Sequence, residues 1–205
     1  MVAIINYGVG NLASISNMLK KAGIKAALTA DPDVIRQADK IILPGVGAFD
    51  YCMQQFNASG LREIVTERVF NDKVPVLGVC VGSQMLVESS EEGNQAGLGW
   101  IKGKVVKFKN DRLPKGYKIP HMSWTDIHPE GDQPLYAGIE EPRFYFVHSY
   151  HVETEDPADV TATADYGYRF TASVGRGHIQ GVQFHPEKSH RFGIELYKNF
   201  ASNFQ

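Results

Sequence analysis

Short apolar segments alternate with amphipathic ones over the first hundred residues. The four strands predicted from the apolar segments are Val2–Asn6, Ala26–Thr29, Lys40–Leu43 and Val74–Val79. Helical spacing begins at Leu12 and ends before Gly23, a residue type common just after helix C-termini. Asp31-Pro32 has the form of a helix N-cap followed by proline in the first turn. This order of elements predicts a parallel sheet with helices on both faces.

The pattern changes after about residue 100, where short β-rich segments follow one another with turns between them. The predicted strands there are Lys104–Phe108, Arg143–His148, Val160–Thr163, Thr171–Val174 and His178–Gln183. Gly175-Arg176-Gly177 has the composition of a hairpin turn, and Phe192 and Phe200 mark one face of a C-terminal helix. His128 precedes a proline in a polar stretch and is predicted in a loop. We expect one α/β domain over residues 1–205, with a mixed, mostly parallel central sheet flanked by helices and a flavodoxin-like core.

Composition narrows the classes of function. The chain has 205 residues, 43% hydrophobic and 21% charged, and its formal net charge of −2 gives no strong attraction to nucleic acid or acidic membranes. Its apolar runs fall short of the ~20 residues that span a bilayer, and the N-terminus lacks the basic and long apolar regions of a signal peptide. Two cysteines are too few for a disulfide framework. We expect a cytoplasmic protein that binds neither nucleic acid nor membrane.

Cys80 follows the fourth predicted strand, in the motif Gly78-Val79-Cys80-Val81-Gly82. A nucleophile elbow has this form, because its glycines leave room for a strained turn and for close approach of strand and helix. The start of the following helix favours a thiolate. A lone cysteine after an apolar strand is more often a buried small hydrophobe. Cys52, which lacks flanking glycines and falls in a predicted helix, is therefore assigned to the core.

Two further segments lie at the ends of predicted strands and supply the other groups that thiol catalysis of amide cleavage needs. His185 is the candidate base, and Glu187 is the candidate carboxylate that holds its tautomer. The candidate oxyanion donors are backbone N–H groups of Gly45, Val46, Gly47 and Val81. Ligand sites in such sheets lie beyond the carboxyl ends of the strands. Each of the three segments is weak evidence for function by itself. Because all three lie at such strand ends, together they favour a catalytic site over three structural turns.

These motifs carry a resemblance to a known family. Gly78–Gln84, Pro44–Gly47 and Gln183–Glu187 resemble the motifs of class I, triad-type glutamine amidotransferases. Within that class, the segments similar to glutaminase subunits of imidazole glycerol phosphate synthases are Asn6–Leu12, Pro120–Trp124, Phe144–Tyr150 and His185–Ser189. The resemblance runs the whole length of the chain.

The resemblance implies an enzyme that hydrolyses L-glutamine through a thioester on Cys80, with no metal or organic cofactor. It also implies a heterodimeric partner, a (βα)8-barrel cyclase, which uses the ammonia to make imidazole glycerol phosphate and aminoimidazole carboxamide ribotide in histidine biosynthesis. The glutamine-binding positions it implies are Gly47, Gln84, Glu92, Ser149 and Tyr150. The interface positions it implies near the ammonia passage are Pro120, His121, Met122, Trp124, Tyr145 and Lys188.

Three alternatives stay open from the sequence. The family usually has Leu and Met where this chain has Val81 and Ser83, and Gly in place of Ser123. A paralogous glutaminase subunit that supplies ammonia to a surface-polysaccharide sugar amidotransferase therefore fits the same motifs. A Cys-His hydrolase or peptidase on a similar sheet is disfavoured by Gln84 and Glu187. A flavodoxin-like binding module with an inactive site is disfavoured by the complete set of catalytic residue types.

Overall fold

The computed structural model describes residues 1–204, and its first half alternates strands and helices as the apolar pattern predicts. The elements are β1 (Val2–Ile5), α1 (Leu12–Lys21), β2 (Ala26–Thr29), α2 (Pro32–Arg36), β3 (Lys40–Gly45), α3 (Phe49–Ala58), α4 (Arg62–Phe70), β4 (Val76–Cys80) and α5 (Val81–Gln84). β3 continues through Pro44 to Gly45, and α3 contains Cys52 as predicted. The four predicted strands are confirmed, with small shifts at their ends.

Local chemistry accounts for where two of these helices begin and end. The Asp31 side chain accepts a hydrogen bond of 2.8 Å from the Asp33 backbone N–H, and Pro32 occupies the first turn of α2. Gly23, just after α1, has a φ of +75°, where a residue with a side chain would be strained. Both ends agree with the sequence prediction, and they return the chain to the sheet.

The second half consists of strands and one long helix. Its elements are β5 (Ser89–Ser90), β6 (Gly103–Lys107), β7 (His121–Pro129), β8 (Arg143–His148), β9 (Tyr150–Thr154), β10 (Val160–Tyr166), β11 (Tyr168–Arg176), β12 (Ile179–Val182) and α6 (His190–Asn203). The apolar pattern misses β7, because only two of its nine residues are buried. The prediction that His128 lies in a loop is wrong: it belongs to β7 and faces solvent.

The order of the strands brings distant segments of the chain together. Within residues 1–204 nine strands form one mixed sheet, in the order β2-β1-β3-β4-β12-β11-β10-β7-β8, and β5, β6 and β9 form a smaller one. The first five strands of the large sheet run parallel, and the others pair antiparallel. β3 and β12 flank β4, with Gly45 opposite Cys80 and Val182 opposite Val79. The carboxyl ends of these three strands therefore meet.

Aromatic side chains fill the core around this meeting point. Phe184, which follows β12, stacks on Phe144 of β8 with 4.0 Å between ring centroids. Phe49 and Phe56 of α3 and Phe200 of α6 are fully buried in the same hydrophobic core. This packing holds the segments after β3, β4 and β12 in place. Among the helices of residues 1–204, none combines the length and the apolar character needed to cross a membrane.

Candidate active site

Cys80 lies at the turn between β4 and α5 with a φ of +56° and a ψ of −113°. A non-glycine residue in this region is strained by on the order of 1–3 kcal/mol, so the surrounding structure has to hold it there. Neighbouring glycines permit the tight packing: a Cβ on Gly78 would lie 2.6 Å from the Gly82 carbonyl oxygen. A Cβ on Gly82 would in turn overlap the Leu43 carbonyl. The turn places the thiol at the start of α5, as the elbow motif predicts.

His185 and Glu187 form a buried pair, with 2.7 Å between the imidazole Nδ1 and the carboxylate Oε1. Because a carboxylate only accepts, His185 donates from Nδ1 and its Nε2 is left for the thiol. Asn11 donates to the same Glu187 oxygen at 2.8 Å. The 3-10 turn Pro186–Lys188 brings the carboxylate back to the ring. The carboxylate is thus held from two sides.

The charges of these groups reinforce one another. Burial alone lowers the pKa of His185, but the facing Cys80 sulfur and the Glu187 carboxylate outweigh it and raise the pKa of His185 to about 10. Burial raises the pKa of Glu187, but the hydrogen bonds from His185 and Asn11 outweigh it, and the pKa of Glu187 is lowered. At neutral pH the site therefore favours an imidazolium paired with the Glu187 carboxylate.

The loop after β3 faces Cys80 from the other side. A Cβ on Gly45, the last residue of β3, would lie 2.8 Å from the Val81 carbonyl carbon, so only glycine allows the chain to come this close to α5. Gly47 has a φ of +87°, which also favours glycine. Val46, Gly47 and Val81 therefore line the same pocket as Cys80.

Two buried side chains hold the carbonyl groups of this loop. The Tyr7 hydroxyl donates to the Pro44 carbonyl at 2.5 Å, and the Cys52 thiol donates to the Val46 carbonyl at 3.3 Å. Burial is the main reason that the pKa of Cys52 is raised to about 11, so Cys52 remains a thiol that can donate. Cys52 is buried as expected and in addition contacts the loop.

These groups open into a pocket of about 370 Å³. The residues expected to bind glutamine all line it, namely Gly47, Gln84, Glu92, Ser149 and Tyr150. The candidate catalytic and oxyanion residues in its lining are Cys80, His185, Val46 and Val81. Glu92 Oε2 accepts the Phe49 backbone N–H at 2.8 Å, so the start of α3 fixes this carboxylate at the pocket wall. The volume suits a ligand of amino-acid size.

Five of the expected interface residues lie at or beside the pocket mouth, and we refer to them as the docking face. Pro120 and Lys188 line the pocket itself. Met122 and Trp124 project from β7 with 59% and 36% of their surfaces exposed. Tyr145 of β8 joins them, with its ring centroid 6.2 Å from that of Trp124 and 5.8 Å from Lys188 Nζ. The docking face is therefore continuous with the pocket.

His121 differs from the other expected interface residues, because its side chain is fully buried. Alternation along β7 turns it inward while its neighbour Met122 turns outward. It has no surface to offer a partner, so the expected direct contact does not fit this structure.

Two residues near the candidate catalytic groups were not assigned from the sequence. Asn11 contacts Glu187, and Gln183 Nε2 lies 3.9 Å from Cys80 Sγ. Asn11 stands at the N-cap position of α1 but makes no capping bond among the described residues. From the sequence alone, the preference for asparagine at N-caps would have accounted for Asn11 without any role at the site. Gln183 had no signal beyond its place in the motif before His185.

A mixed sheet with a strained cysteine at a strand-to-helix turn and a buried His–Glu pair beside it is typical of thiol-dependent enzymes that cleave amides. A family model described as glutamine amidotransferase class-I matches residues 3–204, and the chain belongs to this family.

Relatives and solved structures agree with this membership. Imidazole glycerol phosphate synthase subunit HisH 2 of Pseudomonas aeruginosa is 51% identical, with 98% of each chain covered. Subunit HisH of Leptospira borgpetersenii is 46% identical over 98% of this chain and 100% of that one. A solved glutamine amidotransferase structure shares the fold, with a TM-score of 0.75 at 19% identity over 98% of this chain and 97% of the other.

Proposed function

We propose that this chain is the glutaminase subunit of an imidazole glycerol phosphate synthase and acts in histidine biosynthesis. The observation that carries the proposal is the 46–51% identity to HisH subunits over nearly the whole chain. The pocket supports it, because the candidate nucleophile and all five expected glutamine-binding residues line one cavity. In this proposal the chain works in the cytoplasm and needs neither a metal nor an organic cofactor.

The first half-reaction forms a thioester. The Cys80 thiolate attacks the side-chain carboxamide carbon of glutamine, and backbone N–H groups of Val81 and the Gly45–Gly47 loop stabilise the oxyanion. His185 gives its proton to the nitrogen, which leaves as ammonia while a glutamyl thioester remains on Cys80. The raised pKa of His185 ensures that this proton is present at neutral pH.

The second half-reaction restores the enzyme. His185 Nε2 takes a proton from water as the water oxygen attacks the thioester carbon. The tetrahedral intermediate expels the Cys80 thiolate, and glutamate leaves. Glu187 keeps the ring in its tautomer and stabilises the imidazolium in both halves.

Glutamine carries an α-ammonium and an α-carboxylate group that need separate partners. We assign the ammonium group to Glu92, whose carboxylate lines the pocket, and the α-carboxylate to Ser149 and Tyr150. Gly47 and Gln84 complete the wall around the side chain. This arrangement directs the carboxamide toward Cys80.

The docking face is assigned to a (βα)8-barrel cyclase. Ammonia released into water at neutral pH is protonated and stops being a nucleophile, so the acceptor site has to connect directly with the pocket. Pro120 and Lys188 belong to both the pocket lining and the docking face, which supports this face as the exit. Exposed Met122 and Trp124 are of the residue types enriched at interfaces. Ammonia then enters the cyclase reaction that yields imidazole glycerol phosphate and aminoimidazole carboxamide ribotide.

The test is glutamate release by the purified chain mixed with the histidine-pathway cyclase of the same source. We expect release to rise with the cyclase, to rise further with its carboxamide ribotide ligand, and to vanish in Cys80→Ser. No stimulation by the cyclase would overturn the histidine-pathway assignment. Amidation of a polysaccharide sugar with its own barrel partner would then be measured, because that alternative shares the glutaminase chemistry.

A further inference from the structure

A line of hydrogen-bonded side chains runs inward from β7. His121 Nε2 lies 2.9 Å from Ser123 Oγ and 2.8 Å from Thr125 Oγ1. His121 Nδ1 lies 2.9 Å from His148 Nε2, and His148 Nδ1 lies 2.7 Å from the Tyr150 carbonyl oxygen. Both imidazoles are buried. The line therefore joins β7, beside the docking face, to a wall of the pocket.

The Tyr150 carbonyl sets the direction of each hydrogen bond between it and the hydroxyls of Ser123 and Thr125. The Tyr150 carbonyl only accepts, so His148 donates from Nδ1. A neutral imidazole has one N–H, so His148 Nε2 accepts from His121 Nδ1, and His121 Nε2 accepts from a hydroxyl of Ser123 or Thr125. Burial lowers the pKa of His121 to about 4 and that of His148 well below its usual value. Both rings are thus neutral at neutral pH.

The line continues from the Tyr150 carbonyl to the nucleophile. Gln84 Nε2 donates to this carbonyl at 3.2 Å and to Gln183 Oε1 at 2.9 Å. Because Gln84 turns its NH2 group to the carbonyl, Gln183 has to present its oxygen to Gln84. The amide nitrogen of Gln183 is then directed to Cys80 Sγ at 3.9 Å.

Aromatic stacking keeps the first ring from turning. His121 lies between Phe146 and Tyr166, with ring centroids 5.1 and 4.0 Å away and interplanar angles of 22° and 25°. A ring held in this plane presents Nδ1 to His148 and Nε2 to the hydroxyls. The hydroxyl of Ser123 belongs to this arrangement, and a glycine at that position would leave Thr125 as the donor.

We propose that these hydrogen bonds make Gln183 an N–H donor to the Cys80 thiolate, and that His121 and His148 are positioning residues for that donor. This inference deepens the proposed function, since it rests on Cys80 as the nucleophile. It does not depend on the ammonia acceptor or on the partner. Its test can therefore be made on the chain alone.

The first test is the pH dependence of Cys80 alkylation by iodoacetamide. Cys80→Ser is the blank, since alkylation in that variant comes from Cys52 and is subtracted. Gln183→Met removes the donor without adding charge, and we expect the alkylation midpoint to move up by about one pH unit. Gln180→Met is the matched control: Gln180 is a buried glutamine on the strand just before Gln183, and it donates to the Gly177 carbonyl instead. An unchanged midpoint in Gln183→Met would overturn the proposal.

The second test concerns the positioning residues. His121→Asn keeps an N–H donor near the place of Nδ1, whereas His121→Leu removes it. We expect His121→Leu to shift the alkylation midpoint in the same direction as Gln183→Met, and His121→Asn to restore most of the wild-type value. His128→Gln, an exposed change on the same strand, should leave the midpoint unchanged. Equal midpoints in His121→Leu and the wild type would overturn the positioning role.

A third measurement uses the unmodified chain and so does not depend on how variants fold. Long-range proton–nitrogen NMR spectra should show His121 and His148 as neutral rings protonated on Nδ1. A proton on Nε2 of His148 at neutral pH would overturn the derived direction. Loss of cyclase stimulation together with an intact alkylation profile and these tautomers would refute only the histidine-pathway role.

Discussion

Glu187→Gln separates the charge of the proposed triad from its geometry. The glutamine Oε1 can accept from both His185 and Asn11, as the carboxylate oxygen does at 2.7 and 2.8 Å. The new NH2 group takes the place of Oε2, a buried oxygen that has no hydrogen-bond partner among residues 1–204. The substitution therefore removes one negative charge and leaves the imidazole where it is.

The expected fall in kcat follows from the hydrogen bond between His185 and residue 187, whose acceptor changes from a charged carboxylate to a neutral amide. A buried hydrogen bond to a charged group contributes about 1.5–3 kcal/mol, which corresponds to about a 10- to 150-fold fall in kcat at 1.36 kcal/mol per factor of ten. The carboxylate also helps to raise the pKa of His185, so that pKa should fall. The free energy of unfolding should change little through hydrogen bonding, because the NH2 group replaces an Oε2 that already lacks a partner among residues 1–204.

The assay is glutamate release by the complex with cyclase as a function of pH, beside thermal unfolding of the chain. Glu195→Gln is the control, since Glu195 forms an exposed ion pair with Lys198 on α6 and should change neither measurement. A kcat within twofold of wild type, with the same pH profile, would refute the role of the Glu187 charge.

Three further predictions address the sulfur, the loop and the docking face. The raised pKa of His185 stabilises the fold fully below pH ~6.5, and this stabilisation is lost as the pH rises through about 10. In Cys80→Ser the stabilisation should be lost at a lower pH. Identical pH dependence of urea unfolding in the variant and the wild type would contradict this prediction. Gly47→Ala, at a φ of +87°, should lower glutamate release about tenfold, while Gly60→Ala, at +73°, should not. Trp124→Ala should weaken cyclase binding about 30-fold by calorimetry; unchanged affinity would remove it from the interface.

The first half of the fold could be predicted because its signals are local. The strand β2, the cap at Asp31 and the turn at Gly23 agree with the structure, since each depends on a few neighbouring residues. β7 could not be predicted, because its exposed face carries polar and aromatic residues that hide the strand period. His128 was misplaced for the same reason.

The residues of the candidate site also fall into those that local sequence signals indicated and those that they did not. The glycines around Cys80 and the His-Pro-Glu segment point to a thiol, a base and a carboxylate, because these chemical types are needed wherever they lie in the chain. The buried partners gave no such signal. His121 was expected at an interface, and only the inward side of β7 places it beside His148.

By itself the sequence determined the alternating α/β pattern, the strained turn at Cys80 and the candidate catalytic residue types, because period, glycine placement and side-chain chemistry are properties of short segments. Only the tertiary structure decided that β12 inserts beside β4, and that insertion brings His185 to Cys80. It also decided which side-chain atoms meet at Tyr150, Gln84 and Gln183. Hydrogen-bond direction depends on atoms from distant strands at separations of about 3 Å, and no local pattern in the chain encodes those distances.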